Sequence, residues 1–255
     1  MIDIHSHILP GVDDGAKNLD EAVNMALMAY RDGIHTVVAT PHHKNGVYHT
    51  SAELIVELVG ELNSILLNRG IPVTVLPGME PHVYSDFCND LLDGTILTLN
   101  RNKKYVFLEL PYDQVPRYLN QIIFQIVLAG FIPIIPHPER NYSIRKQPDI
   151  LYEAIKRGAL SQLTAGSLLG AYGKPIQDLS EKLIEHNMVH IIASDAHNTG
   201  KRRPALAEAY SLIEQKWGKE IFIEFMDNAK AIIDGKDIYT LHPEKFVKKK
   251  LFGIF

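Results

Sequence analysis

The chain has 255 residues, 26 Lys and Arg against 30 Asp and Glu, and 46% hydrophobic residues. This composition excludes a disordered or fibrous chain, and a net charge of −4 offers no basic field for wrapping nucleic acid. A single cysteine, Cys88, cannot form an internal disulfide, and no apolar run approaches the ~18 residues of a membrane span.

The first residues, MIDIHSH, lack the positive region and long apolar core of a secretion signal. The expected address is the cytoplasm, without stable membrane insertion. Residues 2–5 read as a short strand, and a helical pattern then opens at Asn18 and runs to Arg31. Asn18 is the N-cap, Glu21 its capping-box partner and Gly33 the stop. Residues 34–40, apolar and β-branched, form a buried strand. Thr50 and Glu53 open the next helix, with Leu54, Leu58, Leu62 and Ile65 as its apolar face and Gly70 at its end.

Further strands are expected at 73–79, 105–110, 132–136, 159–164 and 189–194, with helices at about 119–129, 149–157, 176–186 and 204–217. Strand followed by helix, seven times over, favours a parallel sheet with crossover helices. Seven units on this length fit a closed or nearly closed barrel better than two sheets, although an open doubly wound sheet has the same alternation. No linker or low-complexity tract divides the chain, which predicts one domain over 1–255 with 236–255 as a C-terminal tail. The lysine-rich tail reads as a last helix laying apolar residues on the barrel or, alternatively, as a membrane-surface or partner contact.

The chemistry-bearing residues fall at the strand ends. His5 and His7 end the first strand, His42 and His43 follow the second, and Glu80 follows the third. Glu109 ends the fourth, His137 follows the fifth, and Asp195 and His197 follow the seventh. In a parallel barrel all of these share the rim where βα loops build active sites. His5 and His7, two apart in an extended segment, point to one side and can grip a single ion. Nitrogen and oxygen donors without thiolates suit hard and borderline divalent cations. A carboxylate such as Glu80 can bridge two of them at ~3.5–4 Å.

Singly, each motif has a bland reading as surface histidines or helix-start charges; together they predict a metal site. His35, His82, His186, His190 and His242 lie off these positions and read as packing or surface residues, while His43 and His49 stay undecided. Cys88 is no phosphatase nucleophile, since Gly94 stands six residues on where an arginine is needed, within an acidic segment. The stretch 166–174 fails as a phosphate loop because Leu168 and Pro175 occupy its Gly and Ser/Thr positions.

The order His5-x-His7, His42, Glu80, His137, Asp195-x-His197 resembles the PHP superfamily, named for polymerase and histidinol phosphatase, across nearly the whole chain. MIDIHSHILPGVDDGA at the start, ATPHH at 39–43, PGME at 77–80 and HPER at 137–140 are similar to the bacterial tyrosine-protein phosphatases of the CpsB/YwqE type. The resemblance implies an α/β fold, a distorted (β/α)7 TIM-like barrel of the PHP type. It also implies three divalent ions, manganese by family habit, with iron, zinc and magnesium open.

By position, the resemblance assigns His5, His7, Glu80 and Asp195 to one ion. Glu80, Glu109 and His137 go to the second, with Glu80 bridging, and Asp14, His42 and His197 to the third. Superfamily members often carry histidine where this chain has Asp14 and Glu109, and Asp13 competes with Asp14. Five neutral histidines and four carboxylates around three divalent ions leave a surplus of about two positive charges, which suits a phosphate dianion.

The implied activity is hydrolysis of phosphotyrosine, with hydroxide held between ions attacking phosphorus in line. Arg140 is the first candidate to contact the non-bridging oxygens as a catalytic and substrate-binding group, and Arg202 the second, with Arg203 its rival. The phenolic leaving group, with a pKa of about 10, needs little acid assistance. Implied partners are phosphotyrosine proteins, an autophosphorylated bacterial tyrosine kinase controlling polysaccharide synthesis among them. A small-metabolite phosphatase of the histidinol phosphate kind and a non-catalytic metal-binding module are the alternatives. No feature encodes an oligomeric state.

Overall fold

The computed structural model describes residues 1–246. Among them, strands and helices follow in the order β1 (Ile2–Ser6), α1 (Leu19–Arg31), β2 (Thr36–Ala39), β3 (His42–His43), α2 (Ala52–Asn68), β4 (Thr74–Pro77), β5 (Glu80–Pro81) and α3 (Phe87–Asp93). Next come β6 (Tyr105–Phe107), α4 (Leu119–Leu128), β7 (Ile132–Pro136), α5 (Tyr142–Lys146), α6 (Asp149–Lys156), β8 (Leu160–Thr164) and α7 (Ala165–Leu168). The last are α8 (Lys174–Glu185), β9 (Ile191–Ala193), α9 (Leu206–Trp217) and α10 (Lys219–Ile233).

Every strand ladder is parallel. β1, β2 and β4 form one sheet, β3 pairs with β5, and β6 to β9 follow one another in a second sheet. Because β3 and β5 continue β2 and β4 after two-residue breaks, the segments occupy seven strand positions. Backbone hydrogen bonds close both seams at the rim where the strands end. Ser6 bridges to Ala196 while the Asp195 N–H donates to His5 O at 2.9 Å, and the Glu109 N–H donates to Pro81 O at 3.0 Å beside a His82–Glu109 bridge. The ring is the distorted seven-position α/β barrel that the strand–helix alternation favours over an open sheet.

Two apolar clusters hold it. The inner one takes Ile4, Val38, Phe107, Ile134, Leu160 and Ile191 from the strands. It is completed by Ala229 and Ile232 of α10, which plug the end opposite the rim. The outer cluster lies between strands and surrounding helices, so a residue's strand parity decides which core it joins.

Local signals account for the helix ends. Asn18 Oδ1 accepts the Glu21 N–H at 3.0 Å as expected, but the Glu21 carboxylate takes the Lys17 N–H, one residue before the cap. For α2, Ser51 rather than Thr50 is the cap, accepting the Leu54 N–H. The Thr50 carbonyl is already committed to His43 Nδ1 at 2.8 Å. The buried stripe of α2 is Ala52, Ile55, Val59, Leu62 and Leu66, not the face through Leu54 and Leu58. Both stripes are apolar, so periodicity alone does not choose between them.

The helices α5, α7 and α10 have no counterpart in the strand–helix pattern read from sequence. From Lys236 to Phe246 the chain has no regular structure but is tied to the barrel: the Tyr105 hydroxyl donates to Lys236 O at 2.5 Å and the Glu244 N–H to His186 O at 2.8 Å. The helix expected in the lysine-rich tail falls mostly on 247–255, outside the described residues.

Candidate metal centre

Strand β1 delivers its two histidines through an irregularity. Ile2 and Ile4 face the inner cluster, so strict alternation would turn His5 outward. The β1–β2 register shifts between Asp3 and Ser6, and after it His5 also lies inside, its ring 4.7 Å from that of Phe107. An extra residue in a strand re-aims a side chain in this way. Asp3 stays on the outer side, held by the Ser194 N–H at 2.9 Å and the Ser194 hydroxyl.

The nine acidic and imidazole side chains singled out from sequence converge on one rim. His5 Nε2 and His7 Nε2 are 3.3 Å apart. Each lies 3.3 Å from a Glu80 oxygen and 3.4–3.5 Å from Asp195 Oδ1. His137 Nε2 is 2.7 Å from Glu80 Oε1. His42 turns Nδ1 to Glu80 Oε2 at 3.0 Å and to Glu109 Oε2 at 3.4 Å, and Nε2 to Asp14 Oδ1 at 3.5 Å. His197 Nε2 lies 3.4 Å from the same Asp14 oxygen.

Three of these sets place ligand-capable atoms close enough for one cation: His5, His7 and Glu80; His42, Glu80 and Glu109; and His7, Asp14, His42 and His197. Glu80 is shared by two of them, as a bridging carboxylate must be. The sets differ from the assignment by position, since His42 rather than His137 stands with Glu80 and Glu109.

Two neighbours in sequence part company here. Asp13 Oδ2 accepts from His7 Nδ1 at 2.7 Å, while Asp14 faces His42 and His197. Arg202 enters the site, with Nη2 at 2.9 Å from Asp195 Oδ2, whereas Arg203 pairs with Glu208 at 2.9 Å. Arg140 Nη2 reaches the same Asp195 oxygen at 2.5 Å. Gln162 of β8 was not singled out from sequence, yet its Oε1 accepts from His5 Nδ1 at 2.8 Å. It is uncharged and far along the chain from His5, so no spacing motif marks it. His43 is buried against Thr50 O with its ring tilted against that of His49, centroids 4.6 Å apart.

The donors fit a cation. Buried with no hydrogen-bond partner are His42 Nδ1, Glu80 Oε2, Glu109 Oε2, Asp195 Oδ1 and His197 Nε2. Orphaned buried polar atoms are costly unless something satisfies them, and these point at one another from a nitrogen–oxygen set that suits divalent metals. His137 and Asp195 hold left-handed backbone, with φ of +37° and +51°, a conformation that persists only where the surroundings enforce it.

The histidines divide in their protonation: against the effect of burial, the surrounding carboxylates raise His5, His7 and His42 above the ordinary imidazole range, His42 to about 10. Burial opposes ionisation of Glu80, but His5, His42 and His137 hold its carboxyl well below the usual range. Burial likewise opposes ionisation of Asp195, and the Arg140 and Arg202 guanidinium groups outweigh it. Burial and Arg140 push His137 down to about 4, and burial with the His7 charge does the same to His197. Those two imidazoles are therefore neutral near pH 7, the form that binds metal.

A cavity of about 250 Å3 opens beside the cluster, with His42, His137, Arg140, Asp195 and Arg202 on its polar side. Among the described residues no helix is long and apolar enough to cross a membrane.

Comparisons with known proteins identify the family to which the chain belongs. The family model for capsular polysaccharide synthesis, CpsB/CapC, matches residues 1–234. The chain is 42% identical over 255 residues to the tyrosine-protein phosphatase YwqE of Bacillus subtilis, covering the whole of both. It is 34% identical to CapC of Staphylococcus aureus, again over the whole of both chains. A solved structure described as YwqE from Bacillus subtilis and CpsB from Streptococcus pneumoniae, unique metal-dependent tyrosine phosphatases, superposes with a TM-score of 0.95. That match is 42% identical and covers 97% of this chain and 100% of the other.

Proposed function

The chain belongs to the CpsB/CapC family of capsular polysaccharide synthesis, and from that membership we infer that it is a metal-dependent tyrosine-protein phosphatase. The observation that carries the chemistry is the meeting of Arg140 and Arg202 on Asp195 Oδ2, at 2.5 and 2.9 Å, where the metal cluster opens into the cavity. Two guanidinium groups beside a cation site match the oxygens of a phosphate dianion.

By the family's positions His5, His7, Glu80 and Asp195 would hold one divalent ion, Glu80, Glu109 and His137 a second, and Asp14, His42 and His197 a third, with His42 here also within reach of Glu80 and Glu109; manganese suits this donor set. Such ions, when bound, acidify water and neutralise charge on phosphoryl oxygens. The protein supplies the rest. Arg140 and Arg202 bind and orient the phosphate, and Asp195 keeps both guanidinium groups aimed while it is free. Asp13 and Gln162 accept the Nδ1 protons of His7 and His5 and so leave each Nε2 facing the site. The phenolate of phosphotyrosine, with a pKa of about 10, needs little acid assistance to leave.

Phosphotyrosine proteins are the substrates in this reading, and an autophosphorylated tyrosine kinase serving polysaccharide synthesis is the partner that the family membership supports. Parallel assays of the manganese-loaded protein on a phosphotyrosine peptide, a phosphoserine peptide and histidinol phosphate test it. Turnover should be fastest on the first; preference for histidinol phosphate, or no hydrolysis of any, would overturn the reading.

A further inference from the structure

The cavity beside the metal cluster has a second, apolar side that the phosphate does not need. Leu110, Pro138 and Ile176 form its wall, and the rings of Tyr112 and Tyr172 flank it. We propose that Tyr112 and Tyr172 are the seat of the substrate's aromatic ring, making ring contact the means by which aryl phosphates are preferred to alkyl phosphates. The inference rests on the phosphotyrosine reading above.

Tyr172 is held in place by the phosphate-binding group itself. The Arg140 guanidinium lies 5.3 Å from its ring centroid, and Arg140 Nη1 is 3.5 Å from its hydroxyl. The phosphate end and the ring end of the cavity are thus fixed relative to one another. Tyr112 is different: its side chain is 71% exposed, a large ring left in water at the cavity. Its backbone is nevertheless pinned, because its carbonyl accepts the Tyr142 N–H at 2.9 Å and Asn141 Nδ2 donates to the preceding carbonyl of Pro111 at 2.6 Å. An exposed ring on a fixed backbone loses little entropy when a second ring covers it, and aromatic pairs add attraction beyond the area they bury.

Size points the same way. A volume of about 250 Å3 beside the arginines leaves room for a phosphorylated ring. Phosphoserine carries its phosphate on a single methylene, which would leave the apolar wall wet when its phosphate reached the arginines.

The experiment compares kcat/KM for a phosphotyrosine peptide and for the same peptide with phosphoserine, in the manganese-loaded wild type, Tyr112→Ala, Tyr172→Ala and Tyr172→Phe. Loss of either ring should lower the aryl-to-alkyl ratio about tenfold, chiefly through KM for the aryl substrate. Tyr172→Phe, which keeps the ring and loses only the hydroxyl bond to Arg140, should hold the ratio within about twofold. A ratio unchanged in both alanine variants, or a fall on both peptides in equal measure, would overturn the ring seat while leaving the phosphatase reading intact. If the wild type hydrolyses neither peptide, the underlying reading has failed instead.

Discussion

Asp13 Oδ2 lies 2.7 Å from Nδ1 of His7 and accepts its proton there, which keeps Nε2 turned toward Glu80 and Asp195. The same carboxylate accepts the Gly15 and His42 N–H groups, tying the 13–15 loop to the strand-end residues. Outer partners of this kind are typically worth about 10–100-fold in metal affinity. Asp13→Ala should therefore weaken manganese binding by about that factor in calorimetry while the circular dichroism spectrum stays native. An unchanged affinity would deny Asp13 its orienting role.

Gly15 has no room for a side chain. A Cβ there would stand 2.1 Å from His7 O and 2.5 Å from His7 Cβ, so the loop would have to move off the strand. Overpacking against backbone costs about 1–3 kcal/mol, which for a chain of this length is a melting shift of roughly 2–12 °C. Gly15→Ala should show a loss in that range and weaker metal binding, because Asp14 rides on the same loop. A melting temperature equal to wild type speaks against the close approach.

The two arginines at Asp195 and their neighbour give a discriminating set. Arg140→Lys keeps the charge but loses the planar fork, and removal of one well-aimed donor costs about 10²–10³ in turnover. Its kcat/KM on a phosphotyrosine peptide should fall by about 10²-fold, and Arg202→Lys should fall in the same sense. Arg203, paired with Glu208 outside the site, should tolerate alanine within about twofold. Equal losses at 202 and 203 would remove Arg202 from the account.

A buried histidine away from the site sets part of the acid sensitivity. His190 is 3% exposed, its Nδ1 accepting the Ser161 N–H at 3.1 Å, and burial lowers its pKa to about 4 from 6.5. Between those values the unfolded chain binds the proton and the folded chain does not. Stability is thus full above about pH 6.5 and declines as pH falls toward 4, by up to about 3 kcal/mol from this group. In urea unfolding, the stability gap between wild type and His190→Gln should narrow in favour of the variant from pH 7 to 4.5. A gap independent of pH would assign the shift to nothing this residue does.

Much of this architecture could be read from residue order, and the exceptions share a physical cause. The strand at 132–136 coincides with β7 because β-branched residues between a glycine turn and a histidine leave little else for it to be. Helix α10 is poorly signalled in the sequence because Gly218 rather than a side-chain cap begins it, and because exposed apolar residues such as Ile223 blur the buried stripe of Phe225, Ala229 and Ile232. Its place across the end of the barrel opposite the rim brings apolar residues into contact on more than one side. Leu54 and Leu58 misdirected the face of α2 for a related reason, being apolar residues that the fold leaves at least partly in solvent.

At the centre, the imidazoles and carboxylates stood out by type and by strand-end position. Gln162 did not, since its meaning comes only from lying beside a histidine 157 positions away. Asp13 and Asp14, like Arg202 and Arg203, are adjacent and chemically alike. Only the turn geometry separates the member that enters the cluster from the one that braces it or leaves.

The most direct measurement is the rate of phosphotyrosine-peptide hydrolysis against manganese bound per chain, starting from protein stripped with chelator. The expected curve begins at zero turnover and rises to a plateau near three ions per chain. Full turnover of the stripped protein, or a saturated protein that leaves the peptide intact, would contradict a phosphatase built on this cluster.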